Sequence, residues 1–334
     1  MFEERLQGLD LPTFRVNQLL HAKYKEYLID ISNVTTWSKT LVAKYSDALH
    51  LLSLNPKKTL VTENGATTKI LFTRLSDNLQ FESVLMRHDD GRNTVCVSCM
   101  VGCPVNCAFC ATGKLGFKAN LTYEEIVDQV IYFAHILKAE NLVVSNVVYM
   151  GMGEPMLNLE SVVRSVTILT DPNKVGLSPR RITISTAGYA PQIIKLTDMN
   201  YAGNMAISLH APNQELREKL MPVAKNYKLP ELMKSIDYYV SKTNRRVSYE
   251  YILIDGLNDT EQHAKELAEL LRGRLVHVNL IPYNPVSSLK FQKSSRNRVY
   301  KFLHFLEDKG VNATIRVTMG DDTNAACGQL ASNN

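Results

Sequence analysis

Residues 96–117 read CVSCMVGCPVNCAFCATGKLGF and contain five of the six cysteines of the chain. Three of them follow the spacing Cys103-x3-Cys107-x2-Cys110, and Phe109 precedes the last. Thiolates grouped on one short loop are typical ligands of iron–sulfur clusters. A cube of four irons that is held by three cysteines leaves one iron open to another ligand. The spacing therefore predicts a three-cysteine 4Fe–4S site.

A structural zinc site is the alternative interpretation of this loop. Such sites take four protein ligands, often as two separated pairs. The sixth cysteine, Cys327, lies far along the chain and could complete a zinc site only through tertiary folding. Disulfides are not expected, because nothing in the chain indicates secretion.

Three stretches together carry a resemblance to a known family. The cysteine loop, with an aromatic residue before its third cysteine, is similar to the radical-SAM superfamily. Its flanks, GCPVNCAFCATGKLGF, resemble the RNA adenine methyltransferases known as RlmN and Cfr, as do MGMGEP at 150–155 and GDDTNAACGQL at 320–330. The similarity extends from about Phe14 to Leu330.

Length and composition are those of an ordinary globular protein. The 334 residues allow one large domain or two smaller ones, and 21% of them are charged. A net charge of +5 is compatible with a nucleic-acid partner without requiring one. No apolar run approaches the ~20 residues that span a bilayer. Residues 1–5 include two glutamates and no apolar segment, so we expect a cytoplasmic protein without a membrane partner.

The first 92 residues predict two regions that precede the main fold. Residues 1–55 form a helical N-terminal accessory domain, with amphipathic helices at 15–28 and 37–51. Residues 56–92 form a β-hairpin extension, because Asn64-Gly65 and Asp90-Gly91 are dipeptides of tight hairpin turns. The accessory domain could assist RNA binding, as the resemblance implies, or could simply pack on the core.

Residues 93–334 predict a barrel followed by a segment with a catalytic cysteine. Thr122 and Glu125 have the spacing of a capping box that opens a helix. Strands and helices then alternate, which indicates parallel strands with right-handed crossovers. The fold class is therefore α/β, a partial (β/α)6 TIM-like barrel, which is also the radical-SAM fold. We expect its strands at 94–98, 146–150, 181–185, 204–208, 246–254, 275–281 and 312–318, and its helices at 122–138, 159–170, 191–198, 229–243, 260–272 and 296–309.

Candidate ligand-binding residues follow several of these strands. Functional groups of β/α barrels cluster at the carboxyl ends of the strands. Glycines let a ligand approach the backbone, a carboxylate can bind an ammonium group, and Ser and Asn can bind a carboxylate or ribose. Each residue alone has an ordinary structural explanation, whereas together they suggest one pocket. The residues are Gly151, Gly153, Glu154, Ser185, Ser208, Leu209, His210 and Asn284.

The resemblance implies that this pocket binds S-adenosylmethionine. Its amino and carboxylate groups would chelate the open iron, and Glu154 would hold the amino group. Reduction of the cluster would then release a 5′-deoxyadenosyl radical. Two molecules of S-adenosylmethionine would be consumed in each turnover.

The resemblance also assigns roles to residues that are unremarkable by themselves. Cys327 would carry the methyl group as S-methylcysteine, although a lone cysteine near a C-terminus is most often inert. Cys96 would resolve the covalent adduct with RNA by a transient disulfide to Cys327. Glu82, within FESVLM, would be a proton acceptor, although such a glutamate usually lies on the exposed face of a strand. Cys99 matches no family role and is expected to be a small buried residue.

The expected substrate is 23S ribosomal RNA, with transfer RNA as a second candidate. A low-potential donor such as flavodoxin would supply electrons, and we expect a monomer. Basic side chains could bind RNA phosphates, although charge runs are usually only solvated surface. The candidates are Lys114, Lys118, Arg180, Arg181, Lys290, Lys293, Arg296 and Arg298.

Three rival functions remain open at this point. A Cfr-type enzyme would methylate adenine at carbon 8 and confer antibiotic resistance; FCATG, LSPRR and LMP occur in such enzymes, whereas Pro155, Pro282 and Asp322 favour the carbon-2 group. A non-catalytic RNA-binding module with a structural metal would contain zinc and would not need Cys327. A glycyl-radical activating enzyme is disfavoured, because it would not need both Cys96 and Cys327.

Overall fold

A sheet of ten strands organises the computed structural model, which describes residues 2–286, 288–316, 319–320 and 323–331. Its strands are neighbours in the order β1-β2-β3-β4-β7-β8-β9-β10-β11-β12, while β5 and β6 form a separate pair. The strands are β1 Leu54–Val61, β2 Thr67–Arg74, β3 Gln80–Arg87, β4 Asn93–Cys96, β5 Met100–Gly102, β6 Phe117–Asn120, β7 Asn146–Tyr149, β8 Ile182–Thr186, β9 Asn204–Ser208, β10 Val247–Leu253, β11 Val276–Pro282 and β12 Ala313–Ile315.

Parallel pairing from β4 to β12 forms the barrel. Each of its first six strands is followed by a helix that packs on the outside, which confirms the partial (β/α)6 architecture. These helices are α5 Tyr123–Ala139, α6 Leu159–Thr170, α7 Ala190–Asp198, α9 Leu229–Thr243, α10 Glu261–Leu271 and α11 Arg296–Asp308. The predicted capping box is present, since Thr122 and Glu125 each accept the other's backbone N–H.

The antiparallel strands β1, β2 and β3 extend the barrel sheet at one edge. Gly65 and Gly91 adopt positive φ angles of 69° and 82° in their tight turns, as the dipeptides predict. Strand β3 pairs antiparallel with β4, which itself pairs parallel with β7. The hairpin strands are therefore continuous with the barrel, while the domain boundaries at 55 and 92 stay a prediction.

The N-terminal region is helical, with shorter helices than expected. It contains α1 Phe2–Gln7, α2 Thr13–Tyr24 and α3 Lys39–Tyr45. Helix α3 begins after Ser38 because that side chain accepts the N–H of Leu41. Helix α2 ends at Tyr24, before the 3-10 turn Ile31–Asn33. Among the described helices, none has the length and apolarity of a membrane span.

Four short elements were not expected from the sequence. Strands β5 and β6 pair antiparallel and enclose the cysteine loop, which is followed by the helix α4 Ala111–Lys114. Helix α8, Gln214–Leu220, follows β9 with Asn213 as its N-cap. All are too short for a periodic pattern to identify. The last expected strand is described only as β12, because Val317 and Thr318 lie outside the described residues.

Candidate active site

A cavity of about 570 Å³ occupies the centre of the barrel. In most β/α barrels, branched apolar side chains fill this space. Here several inward positions are polar, among them Thr94 on β4, Ser185 on β8, Glu250 on β10 and Asn279 on β11. The interior of this barrel is thus an open polar chamber.

The cysteine loop closes one wall of the chamber and is shaped by glycines at its base. Strands β5 and β6 pair so that the N–H of Cys103 donates to the carbonyl of Gly116 at 3.0 Å. Gly102 has a φ of +74°, and a Cβ at this position would collide with the Gly116 carbonyl oxygen. The loop also contacts α8, because the N–H of Ala108 donates to the carbonyl of Leu220 at 2.8 Å.

Cys103, Cys107 and Cys110 all line the chamber. Phe109 is buried and packs edge-on against His210, with ring centroids 4.8 Å apart. Burial raises the pKa of the Cys103 thiol to about 12 and that of Cys107 well above its usual range. A bound metal would favour the thiolate forms.

The donor set fits an iron–sulfur cluster. A 4Fe–4S cube takes cysteine thiolates, and it separates its ligands more widely than a single ion does. Within the described ranges, no group of three or more His, Cys, Asp or Glu side chains is arranged to hold a metal ion. The described side chains therefore do not form the four-ligand zinc site considered above.

Glu154 is a buried carboxylate directly after β7, and it lines the chamber. Its Oε1 accepts the N–H of Met156 at 3.0 Å and its Oε2 accepts the N–H of Ala187 at 2.7 Å. Burial raises its pKa to about 7, against the opposing effect of these hydrogen bonds. A carboxylate placed in this way can bind the ammonium group of a ligand.

Most other predicted ligand-binding residues also meet in the chamber. Ser185, Ser208, His210 and Asn284 line it together with both glycines of the motif, Gly151 and Gly153. Leu209 does not line the chamber; its side chain is fully buried, and its N–H donates to the carbonyl of Glu250.

His210 is held as a neutral ring. Its Nδ1 accepts the N–H of Ile252 at 3.0 Å, which leaves the proton on Nε2. Burial, and then the charge of Arg217, lower its pKa to about 3. His210 can therefore donate one hydrogen bond to a ligand without carrying charge.

The chamber brings Cys96 and Cys327 together. Both line it, Cys96 as a buried residue and Cys327 as an exposed one. Burial, and then the charge of Cys327, raise the pKa of Cys96 to about 12, and desolvation within the chamber raises that of Cys327, while the Arg316 guanidinium lowers both. All six cysteines are free thiols in this structure, and Cys99 is buried as expected.

Glu82 is buried but does not line the chamber. Its Oε1 forms an ion pair with Lys69 Nζ at 3.0 Å, and its Oε2 accepts the N–H of Ala331 at 2.9 Å. Glu82 is therefore not on an exposed face of its strand, where such a glutamate usually lies, and both carboxylate oxygens have partners; its role as a proton acceptor stays a prediction.

Sequence reasoning missed Glu250 and Arg316. Both line the chamber, 3.7 Å apart between Arg316 NH1 and Glu250 Oε2. Asn279 Nδ2 donates to Glu250 Oε1 at 2.8 Å, and burial raises the pKa of Glu250. Glu250 on β10 and Arg316 after β12 each alternate with apolar residues along the chain. This alternation was the sequence signal that the inward-facing positions of these strands are polar.

Arg217 on α8 is a second missed group. It is fully buried, and its NH2 donates to the carbonyl of Ala187 at 2.6 Å. Among the residues that the structure describes, none bonds its Nε or NH1, and its guanidinium interacts electrostatically with Cys107 on the cysteine loop. A buried cation near three thiolates can offset their negative charge.

The basic residues do not share one face. Lys114 and Lys118 are exposed beside the cysteine loop. Arg180 and Arg181 precede β8 and so lie at the end of the barrel opposite the cysteine loop. Arg298 pairs with Asp255 and Asp259. Asp322, one of the residues that favoured carbon 2, lies outside the described residues.

Comparison with known proteins agrees with this geometry. Residues 97–271 match the family model of the radical SAM superfamily. A "Probable dual-specificity RNA methyltransferase RlmN" from Dictyoglomus turgidum is 42% identical over 97% of this chain and 92% of its own length. A "Ribosomal RNA large subunit methyltransferase N" from Nitrosopumilus maritimus is 43% identical over 95% of this chain and 92% of its own.

A solved structure has the same fold over nearly the whole chain. It is a radical SAM methyltransferase from Sphaerobacter thermophilus, with a TM-score of 0.94 and 43% identity. The match covers 99% of this chain and 96% of that one.

Proposed function

The chain belongs to the RlmN-type RNA methyltransferases of the radical SAM superfamily, and we propose that it methylates carbon 2 of a specific adenine in 23S ribosomal RNA. The observation that carries this proposal is that Cys327 and Cys96 meet in the chamber lined by Cys103, Cys107 and Cys110. The names of the relatives support a ribosomal substrate and a second RNA substrate, for which we propose transfer RNA.

Cys103, Cys107 and Cys110 would hold a 4Fe–4S cluster with one iron open. When bound, this cluster supplies the single electron that converts S-adenosylmethionine into a hydrogen-abstracting species. Glu154 would bind the ammonium group of S-adenosylmethionine, and Ser185, Ser208, His210 and Asn284 would bind its other polar groups. The hydrogen-bond capacity of these side chains supports the assignment.

Cys327 would carry the methyl group. Its sulfur attacks the methyl carbon of one S-adenosylmethionine, so a carbon–sulfur bond forms as the sulfonium bond breaks, S-adenosylhomocysteine leaves and the thiol proton is lost. A second S-adenosylmethionine then yields the species that removes a hydrogen atom from the S-methyl group. The resulting methylene radical would bond to the adenine carbon, and the adduct would give back one electron, the one used to cleave S-adenosylmethionine. This route suits an electron-poor ring carbon, which is a poor nucleophile toward a sulfonium methyl group.

Cys96 would release the product. Its thiolate attacks the sulfur of Cys327 and forms a disulfide, while the bond from that sulfur to the methylene carbon breaks and its electron pair stays with the carbon. The ring carbon loses its hydrogen as a proton, and the former methylene carbon takes up a proton to complete the methyl group. The shared chamber supports this pairing, although both thiols are free in the structure. A reductant must restore the thiols before the next turnover.

We further infer a cytoplasmic monomer that takes electrons from a low-potential donor of the flavodoxin kind. An oxygen-sensitive cluster and reducible catalytic thiols both suit a reducing compartment.

Product identity tests the proposal. Protein reconstituted without oxygen is incubated with S-adenosylmethionine, a reductant and a 23S ribosomal RNA fragment, and the digested nucleosides are identified by mass spectrometry. We expect 2-methyladenosine. A product of 8-methyladenosine would instead make this a Cfr-type enzyme, and the absence of any methylated adenosine would reject both assignments.

The Cys96→Ala variant tests the resolving step. We expect a covalent protein–RNA adduct that denaturing electrophoresis detects, because no thiol remains to attack Cys327. Cys99→Ala is the matched control and should release free methylated RNA. Normal release by Cys96→Ala would remove Cys96 from the scheme.

A further inference from the structure

One ion pair ties both ends of the loop that bears Cys327. We call residues 324–331 the Cys327 loop. Lys69 Nζ donates to the carbonyl of Asn324 at 3.0 Å, at the start of the loop. Glu82 Oε2 accepts the N–H of Ala331 at 2.9 Å, at its end, and Oε1 lies 3.0 Å from Lys69 Nζ.

The two strands of the hairpin place these side chains together. Glu82 on β3 pairs with Leu71 on β2, while Lys69 pairs with Val84. Residues at such diagonal positions project from the same face of the sheet and lie within reach of each other. Their side chains are 8% and 6% exposed, so the pair lies beneath the loop and away from solvent.

Other contacts hold the middle of the loop against the chamber. Asn284 Nδ2 donates to the carbonyl of Cys327 at 3.3 Å, and the N–H of Ala111 donates to the carbonyl of Gly328 at 2.8 Å. These bonds connect the loop to the segment after β11 and to α4 beside the cysteine loop. The ion pair is thus the one contact of this set that spans both ends of the Cys327 loop.

Stability alone is a weak reason for this arrangement. The cost of burying two charges often equals or exceeds their attraction, so a buried ion pair adds little net stability. What such a pair contributes is a defined geometry, provided that its remaining hydrogen-bonding groups are satisfied. Here the remaining hydrogen-bonding groups of Lys69 and Glu82 bind the two ends of the loop whose central residue is Cys327.

We propose that Lys69 and Glu82 form a clamp that holds the Cys327 loop in the geometry needed for methyl transfer. The functional part of this inference rests on the proposed role of Cys327. Glu82 is then a positioning residue, because it acts on methyl transfer through the loop that it holds. Glu82 does not line the chamber, and neither of its carboxylate oxygens is without a partner.

Hydrogen–deuterium exchange of the intact protein tests the clamp without RNA or S-adenosylmethionine. The variants are Lys69→Met and Glu82→Gln, which keep side-chain length while removing one charge. We expect amides of the Cys327 loop to exchange at least about tenfold faster in both, because a charge-assisted hydrogen bond is worth more than a neutral one. The double variant should exchange no faster than either single variant, since both changes open one clamp.

Arg74→Met is the matched control. Arg74 lies on the same strand and forms a buried ion pair with Glu125 at 2.8 Å, away from the Cys327 loop. Loop exchange should remain at the wild-type rate in this variant. Equal acceleration in Arg74→Met would show general destabilisation and overturn the clamp, as would unchanged exchange in Lys69→Met and Glu82→Gln.

Methylation of Cys327 provides the functional readout. With cluster and S-adenosylmethionine present, mass spectrometry of the peptide that contains Cys327 should show slower S-methylation in both clamp variants. A proton-acceptor role for Glu82 predicts instead that Lys69→Met behaves like the wild type. If wild-type protein forms no S-methylcysteine, the proposed function fails, whereas the exchange result still decides whether the clamp exists.

Discussion

At the scale of single residues, Glu154 is a carboxylate whose charge changes near neutral pH. Burial raises its pKa to about 7, while the N–H groups of Ala187 and Met156 favour the charged form. The carboxylate therefore predominates above pH 7, and the neutral acid predominates below it. An ammonium group binds the charged form more strongly, so ligand binding must compete with protonation at lower pH.

We predict that affinity for S-adenosylmethionine falls as pH decreases below 7. The loss should approach about tenfold per pH unit, because one proton must leave Glu154 when the ligand binds. Glu154→Gln should bind at least about tenfold more weakly at pH 8 and should lose this dependence. Equilibrium dialysis of cluster-loaded protein between pH 5.5 and 8 measures both effects.

The exposed Glu160 on α6 supplies the control for this prediction. Its side chain is 88% exposed, and Glu160→Gln should retain the wild-type pH profile. An unchanged pH profile in Glu154→Gln would assign the titration to another group.

Sequence identified the reactive residues but not all of their neighbours. The spacing of Cys103, Cys107 and Cys110 states their chemistry directly, because few other sites need three cysteines so close together. Glu250 and Arg316 have no such local signature. Glu250 is buried and Arg316 is half-buried, and both line the chamber with Cys96 and Cys327, an arrangement that a linear pattern does not contain.

At the scale of elements, the short hairpin of β5 and β6 determines the shape of the cysteine loop. Gly102 and Gly116 both have positive φ angles, +74° and +67°. A Cβ on Gly116 would meet nothing within 4 Å, whereas a Cβ on Gly102 would strike the carbonyl oxygen of Gly116. Both glycines are therefore needed for a positive φ angle, whereas only at Gly102 would a side chain also collide with the neighbouring backbone.

We predict that Gly102→Ala loses most of its bound iron, because the hairpin must open to relieve the collision. Gly116→Ala is the matched control; it pays only the left-handed backbone cost of roughly 1–2 kcal/mol and should keep the cluster. Iron content per chain and visible absorbance after anaerobic reconstitution measure the difference. Equal iron in the two variants would contradict this account of the hairpin.

Longer elements followed from local rules, and shorter ones did not. The capping box of Thr122 and Glu125 places the start of α5, and the turn glycines Gly65 and Gly91 place the turns β1–β2 and β3–β4. Helix α8 and the pair β5–β6 have few residues and are stabilised mainly by contacts with other segments. Those contacts cannot be predicted from the local sequences of these elements.

At the scale of the whole molecule, a buried ion pair joins the N-terminal helices to the barrel. Lys23 on α2 lies 2.6 Å from Asp128 on α5, and both side chains are fully buried. Ser53 donates to the other oxygen of Asp128 from both its N–H and its hydroxyl, at 2.7 Å each. The carboxylate therefore connects the helical region, the segment before β1 and the barrel.

We predict that Lys23→Met lowers the free energy of unfolding by about 3–5 kcal/mol, since it leaves the buried carboxylate of Asp128 without a counter-charge. Lys219→Met is the control, because Lys219 pairs with Glu215 on the surface, where solvent screens the pair, and its loss should leave the free energy of unfolding nearly unchanged. Urea unfolding followed by circular dichroism compares the two. Similar losses would mean that the interface does not depend on this ion pair.

The sequence by itself determined the alternation of strands and helices, the cluster-binding loop and the family. Short segments of sequence are sufficient to predict these features, because the periods of helices and strands and the spacing of cysteines are local properties. Only the tertiary structure decided that Cys96 and Cys327 share a chamber, that Glu82 is paired with Lys69, and that Glu250 faces the thiols. Those outcomes depend on segments that are far apart in the chain and on burial, which exists only once the barrel has closed around its polar centre.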